Sequence, residues 1–282
     1  MNKPSQPLIS VIVAVFNGAN TLQQCIDSFA EQSYANKELI VIDGGSSDGT
    51  VGLLETNGAQ ISYWISEQDK GIYNAWNKGL KQTKGEWICF LGADDFFWDE
   101  RVLEQMARSL TEVPDDINVV YGQIMLLNND GMSLYTVGEP WENIKNRFQA
   151  VMCVPHQGVM HRQRLFEKHG QFDESFRIAG DYELLLRELK VRDAQFIPKL
   201  IVTGMRQGGV SSDPGNTLKA MREIRRAQKM HGQRLPRTIW VLAMVRVYVR
   251  LVLWRVLGES MTRKLLDVYR NLAGMSSYWT RT

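Results

Sequence analysis

The sequence predicts an α/β fold in which a mostly parallel sheet is flanked by helices and followed by a helical C-terminal segment. Apolar runs of strand length alternate four times with segments of helical periodicity in the first 112 residues. That alternation is typical of a parallel sheet with helices on both faces. Polar residues follow the apolar runs, and the pattern is helical from residue 217 onward. Together these features predict a ligand-binding sheet edge and a helical tail.

The strands of the first half are predicted from apolar runs, of which the first is continuous and β-branched, as expected for a strand buried on both faces. They are LISVIVAVF (8–16), ELIVIDGG (38–45), ISYWISE (61–67), EWICFLG (86–92) and INVVYGQIMLL (117–127). Helices are predicted between them wherever apolar residues recur at helical spacing. These helices cover residues 21–32, the stretch from SSDGT (46–50) through Leu54, and residues 71–83 and 99–110.

The alternation loosens after residue 128. Strands are predicted at 134–138, 156–161 and 194–204, and helices at 164–170 and 181–192. We therefore predict two parts, a body over residues 1–216 and a basic, amphipathic helical tail over residues 217–282.

Composition supports a globular protein, since 44% of the 282 residues are hydrophobic and 23% are charged. The net charge of +2 is unevenly distributed. Residues 217–282 carry 14 Lys/Arg and 3 Asp/Glu, a net charge of +11, which leaves −9 on residues 1–216. Three scattered cysteines predict buried thiols in a reducing compartment, and no signal peptide is expected at the start.

Candidate binding residues follow the strands of the first half. Asn17, Asp43, the segment 67–71 and the pair Asp94-Asp95 each come directly after an apolar run. In parallel sheets, ligands bind beyond the carboxyl ends of the strands. We therefore expect these polar side chains to gather along one edge of the sheet.

Asp94 and Asp95 lie between two apolar runs, where paired carboxylates are costly unless a cation is present. One alternative is that they only end a strand and begin a helix. Asp99 is closer to the predicted helix start, however, and can serve that purpose. Hard divalent cations such as Mg²⁺ or Mn²⁺ often take one or two protein carboxylates plus substrate phosphates, so a metal site is predicted here.

Two further acids have a structural and a functional interpretation. Asp43 could accept hydrogen bonds from a ribose or base, or bond its own turn. Asp181 could cap the helix that it begins, or act in a site that Ala179-Gly180 leaves open. The first strand is followed by FNGANT, which has one glycine, so a dinucleotide cofactor is not expected.

The order SVIVAVFNGANTL, ELIVIDGGSSDGT, DKGIYNAWNKGLKQTKGEWICFLGADD and FRIAGDYELLLR resembles the family 2 glycosyltransferases over roughly residues 8 to 210. The resemblance implies a GT-A fold and an inverting, nucleotide-sugar-dependent transferase. By pattern, the chain resembles bacterial enzymes that build O-antigen or exopolysaccharide.

The resemblance also implies roles for single residues. Asp43 matches the acid that contacts the nucleotide base, Asp94 the last acid of the D-x-D motif that binds metal and donor, and Asp181 the catalytic base. Asp95 is the usual acidic neighbour at the metal. Asn17 and the segment Asp69-Lys70-Gly71 match the loops at the nucleotide, ribose and diphosphate.

The chain departs from the family pattern in two places. Gly92 stands where the first acid of D-x-D is expected, so fewer protein oxygens would hold Mn²⁺ or Mg²⁺. No Q-x-x-R-W follows Asp181, which favours transfer of one sugar, expected from a UDP-sugar, over processive synthesis. His156 could orient the acceptor or reach the metal, although a lone histidine is more often structural. Arg206 with Gly208-Gly209 could form a loop that closes over the donor, or the two glycines could simply form a turn.

The stretch TIWVLAMVRVYVRLVLWRVLG (238–258) is interrupted by Arg246, Arg250 and Arg255, which disfavours a membrane span. A buried helix is one interpretation. The other, which we prefer, is an interfacial helix with Trp240 and Trp254 at the boundary. It predicts a peripheral protein on the cytoplasmic face of a membrane, acting on a lipid-linked saccharide. No nucleic-acid-binding motif is present.

Two other functions fit parts of the pattern. A sugar-phosphate nucleotidyltransferase shares the topology but normally has a glycine-rich basic loop after the first strand. A non-catalytic nucleotide- or carbohydrate-binding protein of the same fold would not need Asp43, Asp94 and Asp181 together.

Overall fold

A nine-stranded sheet organises the chain in the computed structural model, which describes residues 6–128, 130–206, 214–272, 274 and 279–280. The strands are β1 (Ile9–Val15), β2 (Lys37–Asp43), β3 (Tyr63–Ser66), β4 (Trp87–Gly92), β5 (Phe96–Phe97), β6 (Val119–Leu127), β7 (Ser133–Val137), β8 (Val159–Arg162) and β9 (Gln195–Arg206). The helices are α1 (Leu22–Ala30), α2 (Thr50–Thr56), α3 (Ile72–Leu80), α4 (Val102–Leu110), α5 (Trp141–Phe148), α6 (Gln163–His169), α7 (Gly180–Leu189), α8 (Pro214–Met230) and α9 (Thr238–Leu272).

The first half of the sheet is parallel throughout. Strand β1 lies between β2 and β4, and β3 pairs with the far side of β2. The chain therefore winds outward from β1 in both directions, which leaves a crevice at the carboxyl ends of β1 and β4. Residues 17 and 94 lie just beyond these two ends, as the sequence predicted.

The second half of the sheet is mixed. Strand β8 is antiparallel to both β4 and β6, and β9 is parallel to β6. Six strands thus run in one direction, while β5, β7 and β8 run in the other. The prediction of a mostly parallel α/β sheet is confirmed.

Three local predictions need correction. Strand β5 and helix α5 were not predicted, and residues 156–158 of the predicted strand 156–161 form a 3₁₀ helix. Strand β5 has only two residues and pairs with β9, about a hundred residues further along the chain. A pattern of neighbouring residues carries no signal for such a pairing.

Alternate side chains of the strands fill two apolar layers, one on each face of the sheet. In β1, for example, Val11 and Val13 pack with α1 and α4 on one face, whereas Ile12 packs with α3 and α7 on the other. All three side chains are fully buried. The central strands therefore hold the loops at their ends on a rigid base.

Helix α8 is part of the body. Met221, Ile224 and Ala227 are buried in the layer that also contains α7. The predicted boundary at residue 216 falls inside this helix, so the packing does not change there. Trp240 donates a hydrogen bond from Nε1 to the Met221 carbonyl and packs on the same layer. The expectation that Trp240 lies at a membrane boundary is therefore wrong.

Helix α9 bends at Gly258, whose φ of 75° interrupts the helical backbone. Within the residues that the structure describes, no helix is both long and apolar enough to cross a membrane. The thiols of Cys25 and Cys89 are buried and that of Cys153 is half-buried, and all three are free, as predicted.

Candidate active site

Two adjoining cavities open at the carboxyl ends of the parallel strands. The β1 cavity, about 510 Å³, is lined by residues that include Phe16, Asn17 and Asp69. The α7 cavity, about 430 Å³, is lined by residues that include Asp95, His156, Asp181 and Arg206. The two share a wall made of Gly71, Ile72, Gly92 and Asp94. An elongated ligand could therefore span both.

The loops after β1 and β2 brace each other at the mouth of the β1 cavity. Asn17 has a φ of 51°, and its Oδ1 accepts a hydrogen bond from the Ser47 amide at 3.0 Å. The Asn17 amide donates to Ser46 Oγ at 2.7 Å. Asparagine tolerates this left-handed conformation better than most residues. Phe16, which sequence analysis did not select, is 66% exposed beside them.

Asp43 is fully buried, and its carboxylate is used by its own turn. Its oxygens accept hydrogen bonds from the Gly45 and Ser46 amides and from the hydroxyls of Ser46 and Ser66. Of the two interpretations given for Asp43, the contacts in the structure agree with the one in which the aspartate bonds its own turn. The carboxylate exposes no surface to a base in this conformation.

The segment Asp69-Lys70-Gly71 leads into α3. Asp69 Oδ1 accepts a hydrogen bond from the Gly71 amide at 2.7 Å, and Gly71 has a φ of 116°. A side chain at Gly71 would be strained by that φ and would meet the Arg177 guanidinium at 3.0 Å. Asp69 and Gly71 line the β1 cavity, whereas Lys70 is exposed.

Asp94 and Asp95 converge on the space beside Gly92. A Cβ added to Gly92 would lie 2.6 Å from Asp94 Oδ1 and 3.0 Å from Asp95 Oδ2. Burial, together with the charge of Asp94, raises the pKa of Asp95 well above its usual range. The position where an acid is expected in D-x-D thus has no room for a side chain in this conformation.

These two carboxylates fit a divalent cation. Among the described residues, no group of three or more His, Cys, Asp or Glu could hold a metal. Two adjacent carboxylates, of which Asp95 is buried, are nevertheless a donor set that Mg²⁺ and Mn²⁺ accept, with water and phosphate oxygens completing the shell.

Asp181 lies in the first turn of α7 and faces the α7 cavity. Its Oδ1 accepts hydrogen bonds from its neighbour's amide, Tyr182 N–H, at 2.8 Å and from the Tyr73 hydroxyl at 3.4 Å. Burial raises the pKa of Asp181 to about 6, and these hydrogen bonds limit the rise. A carboxylate with that pKa is ionised at neutral pH and can accept a proton.

His156 lies in an aromatic cluster with Trp76, Phe90 and Phe172. It is 5% exposed, and burial with the neighbouring His161 lowers its pKa well below the usual range. Its Nε2 and the Trp76 Nε1 have no hydrogen-bond partner among the described residues. Both residues line the α7 cavity.

Arg206 ends β9 and donates a hydrogen bond to Gln24 on α1. It borders the α7 cavity. Gly208 and Gly209, predicted to belong to the same loop, lie outside the described residues.

The structure brings most of the predicted site residues together. Asn17, Asp69, Gly71, Asp94, Asp95, His156, Asp181 and Arg206 line the two cavities. Asp43 and Lys70 do not. Sequence analysis missed Tyr73, Trp76 and Arg177, which also line the α7 cavity. Tyr73 and Trp76 lie four and seven residues after Asp69, on the helix that follows the DKG segment. Their position in sequence close to this predicted donor-binding segment could have identified them as candidate site residues.

A parallel nucleotide-binding half joined to a mixed half, with paired acids at the shared crevice, defines the GT-A class of glycosyltransferase folds. The model of the family described as glycosyl transferase family 2 matches residues 10–168. This chain belongs to that family, as the motifs predicted.

Curated relatives are similar over part of their length. A protein of Rickettsia typhi named an uncharacterized glycosyltransferase is 31% identical over 202 residues, covering 70% of this chain and 63% of the relative. A PGL/p-HBAD biosynthesis glycosyltransferase of Mycobacterium tuberculosis is 29% identical over 185 residues, covering 64% and 69%. The chain therefore spans under two thirds of the Rickettsia relative.

Solved structures share the fold. S. aureus TarS 1-349 in complex with UDP-GlcNAc has a TM-score of 0.61 at 19% identity, covering 78% of this chain and 66% of TarS. The mannosyltransferase PcManGT from Pyrobaculum calidifontis, in complex with GDP-Man and Mn²⁺, has a TM-score of 0.63 at 16% identity, covering 96% and 82%.

Proposed function

We propose that this chain is an inverting glycosyltransferase that moves one sugar from a nucleotide-sugar to a hydroxyl of a lipid-linked saccharide. The observation that carries the proposal is that Asp181 faces the same cavity as Asp94 and Asp95. A proton acceptor and a site for a charged leaving group are then present together, as a single displacement requires.

The donor would occupy both cavities. The exposed ring of Phe16 offers a stacking surface for a base, and Asn17, Asp69 and Gly71 line the path from there to Asp94. Asp43 would act indirectly, by fixing the turn that braces Asn17. The nucleotide complexes of TarS and PcManGT support a nucleotide-sugar as donor. Of these, UDP-sugars are the first to test.

Asp94 and Asp95 would hold a divalent cation with the diphosphate. When bound, the cation would neutralise charge on the departing nucleoside diphosphate. Asp94 borders both cavities, so its carboxylate lies where the diphosphate would pass from one to the other. Arg206 and Arg177 border the α7 cavity and would add positive charge near the phosphates.

Asp181 would act as the general base. As the acceptor oxygen bonds to the anomeric carbon, its proton passes to the Asp181 carboxylate, and the bond to the diphosphate breaks with its electron pair. The product has the opposite anomeric configuration. His156 and Trp76 would contact the sugar side of this cavity, where an uncharged imidazole can hydrogen-bond a hydroxyl.

A screen of UDP-, GDP- and dTDP-sugars with Mn²⁺ tests the activity, using release of nucleoside diphosphate as the readout. Asp181→Asn should retain donor binding while turnover falls by about two to four orders of magnitude. Full activity in this variant would refute Asp181 as the base. Loss of donor binding with the fold intact would assign Asp181 to the donor site instead.

The lipid-linked acceptor is proposed from the exposed face of α9. Its apolar residues recur at spacings of three and four and are well exposed: Leu242, Val245, Val249, Val252 and Val256. The opposite face packs on the body through Ala243, Met244 and Val247. The helix is thus apolar on two sides, and only one is covered within the described residues.

Charge favours an anionic membrane surface as the partner of that face. At about 100° per residue, Arg246 and Arg255 fall on opposite flanks of the exposed apolar stripe. Side chains there can lie along apolar surface and reach headgroups. Arg250 instead stacks on Trp279 at 5.1 Å, and Arg225 is buried in the body. Neither side chain is therefore placed to reach headgroups.

Exposed apolar residues recur past the bend at Gly258. Met261, Leu265 and Val268 are also exposed, again at helical spacing. Such a surface would place the chain at the cytoplasmic face of a membrane, where soluble nucleotide-sugars and a lipid-linked hydroxyl can meet.

A further inference from the structure

Glu223 of α8 binds the loop that leads into α7. Its carboxylate accepts hydrogen bonds from three consecutive backbone amides, those of Arg177, Ile178 and Ala179. The distances are 3.1 Å to Arg177 and 2.9 Å to each of the other two. Hydrogen bonds to an ionised acceptor are roughly twice as strong as those between neutral groups. Glu223 therefore anchors residues 177–179 to α8.

The same loop is held from the other side by α3. The Gly180 amide donates to the Tyr73 hydroxyl at 2.8 Å, and the Arg177 guanidinium donates to the Lys70 carbonyl. A Cβ on Gly180 would lie 2.7 Å from the Tyr73 ring. The backbone just before Asp181 is thus hydrogen-bonded to both α8 and α3, and the contact between Gly180 and the Tyr73 ring leaves no space for it to shift toward α3.

Asp181 follows this backbone segment directly. Its side chain has one contact with α3, the Tyr73 hydroxyl at 3.4 Å, and one with its neighbour's amide. Neither would hold the carboxylate at the α7 cavity if the loop moved toward solvent. The contacts that oppose such movement come from α8, where Glu223 binds the amides of residues 177–179 and Arg226 donates hydrogen bonds to the carbonyl and hydroxyl of Ser175.

We infer that Glu223 is a positioning residue for the Asp181 carboxylate, acting through the amides of residues 177–179. The inference rests on the proposed function of Asp181 as the base. It also gives α8, which follows the catalytic motifs in sequence, a direct part in the active site. Displacements of about 1 Å at a reacting group can cost a hundredfold in rate.

The charge of Glu223 also acts on Asp181. Burial is the main cause that raises the pKa of Asp181; the hydrogen bonds from the Tyr182 amide and the Tyr73 hydroxyl lower it, and the negative charge of Glu223 on α8 raises it. The other charged side chains that line the same cavity are Asp94, Asp95, Arg177 and Arg206. Removing the charge of Glu223 should therefore shift the acid limb of the rate profile to lower pH. A merely structural loss would lower activity at every pH without moving that limb.

The test compares Glu223→Gln and Glu223→Ala in the full chain with a matched control, Glu38→Gln. Glu38, like Glu223, is a carboxylate that accepts a backbone amide, from Lys84, and it also accepts the hydroxyl of Ser10. Glu38 is buried, whereas Glu223 is half-buried. It lies at the amino ends of the strands, away from the cavities.

In both Glu223 variants, hydrogen exchange at residues 177–179 should accelerate and kcat should fall by about tenfold to a hundredfold. UDP binding should weaken much less than kcat, because Arg177 is the one residue of the released segment that is proposed to meet the phosphates. Glu223→Gln should also move the acid limb downward. Glu38→Gln should do none of these things.

The outcomes separate the two proposals. Unchanged exchange at residues 177–179 in the Glu223 variants would show that the anchor is absent. If the Glu223 variants had the kcat and pH profile of the wild type while Asp181→Asn was inactive, the positioning role of Glu223 would be refuted and the proposed function would stand. If Asp181→Asn itself keeps wild-type turnover, the proposed function fails, whereas the exchange result still reports on the anchor.

Discussion

The Tyr73 hydroxyl lies 3.4 Å from Oδ1 of Asp181 and 2.8 Å from the Gly180 amide nitrogen, and thereby joins the helix after the DKG segment to the start of α7. The two residues are 108 positions apart in the chain. Tyr73 is 4% exposed. One hydroxyl can thus donate to the proposed base and accept from the backbone that carries it.

This arrangement predicts the effect of Tyr73→Phe on the pH profile. Wild-type activity should fall as the pH drops below about 6, the pKa of Asp181, because the base must be ionised. The Tyr73 hydrogen bond lowers that pKa, so its removal should move the acid limb upward. Rates measured across the pH range with donor saturating would check this.

A stability loss of about 1–3 kcal/mol is also expected from Tyr73→Phe, since the buried Gly180 amide loses its acceptor. Tyr34→Phe is the matched control, because Tyr34 is a buried tyrosine whose hydroxyl donates to the Pro7 carbonyl at 2.6 Å. Both variants should unfold earlier in urea. If Tyr34→Phe moved the acid limb equally, the assignment to Asp181 would be wrong.

Asp95→Asn should separate metal binding from folding. Without metal the variant should melt at or above the wild-type temperature, because a buried carboxylate beside Asp94 is replaced by a neutral amide. Mn²⁺ with UDP should raise the wild-type melting temperature and leave that of Asp95→Asn unchanged. Differential scanning fluorimetry with and without Mn²⁺ measures both effects.

Asp116→Asn, which changes an exposed acid at the opposite edge of the sheet, should behave as wild type in that experiment. A metal-dependent rise in Asp95→Asn equal to wild type would exclude Asp95 from the cation site. Asp94→Asn should lose the rise as well, since Asp94 supplies the second carboxylate.

Acid should destabilise the fold through the buried histidines. Burial lowers the pKa of His161 to about 4, so between that value and about 6.5 the unfolded chain binds more protons. Stability is therefore complete above the unfolded pKa and is lost as the pH falls toward 4. From pH 7.5 to pH 5 the loss from His161 alone should be about 2 kcal/mol.

Urea denaturation at those two pH values measures that loss. His156, whose pKa is also lowered, should add to it. His161→Asn should reduce the pH dependence while lowering stability at neutral pH, because the contact of Nδ1 with the Ile88 carbonyl is lost. An undiminished pH dependence in the variant would assign the acid sensitivity to other groups.

The exposed face of α9 predicts association with anionic vesicles. The full chain should float with vesicles of phosphatidylcholine and phosphatidylglycerol, and less so at high salt, because surface charge is screened. Val245→Glu combined with Val249→Glu should abolish flotation by placing charge in the apolar stripe.

Val191→Glu is the control for that experiment, since Val191 is equally apolar and 66% exposed but lies after α7. It should float as wild type. Sedimentation identifies the other occupant of the stripe: a dimer that the α9 variants convert to monomer, with no flotation of the wild type, would make this face a self-association surface and refute the membrane proposal.

The succession of parallel strands along the chain and the edge that carries the acids could be predicted from the sequence alone. The runs before Asn17 and Asp43 are long and rich in β-branched residues, and the run before Asp94 is continuously apolar, so each specifies a buried strand locally. Once they alternate with helices, a parallel sheet follows, and the carboxyl ends of parallel strands meet at one edge. Placement of these residues near one another needed no knowledge of distant contacts.

Other features were decided by tertiary structure. From sequence, Asp43 is a candidate to bind a ligand. In the structure, its carboxylate accepts hydrogen bonds from its own turn and from the hydroxyl of Ser66, on a neighbouring strand. The sequence predicts that helix α8 belongs to a basic tail, whereas in the structure its residues Met221 and Ala227 lie in the core. In both cases the sequence specifies the residue type, but not which partner will satisfy it.

The active-site geometry depends on tertiary structure in the same way. Asp181 obtains its position from Tyr73 and Glu223, which are 108 residues before it and 42 residues after it in the chain. The periodic spacing of apolar residues predicts which face of a helix or strand is buried, because several neighbouring residues contribute to the same pattern. The pairing of a single hydroxyl or carboxylate with a distant backbone amide has no such periodic signal, and it is decided only when the packing of α3, α7 and α8 brings the groups within hydrogen-bonding distance.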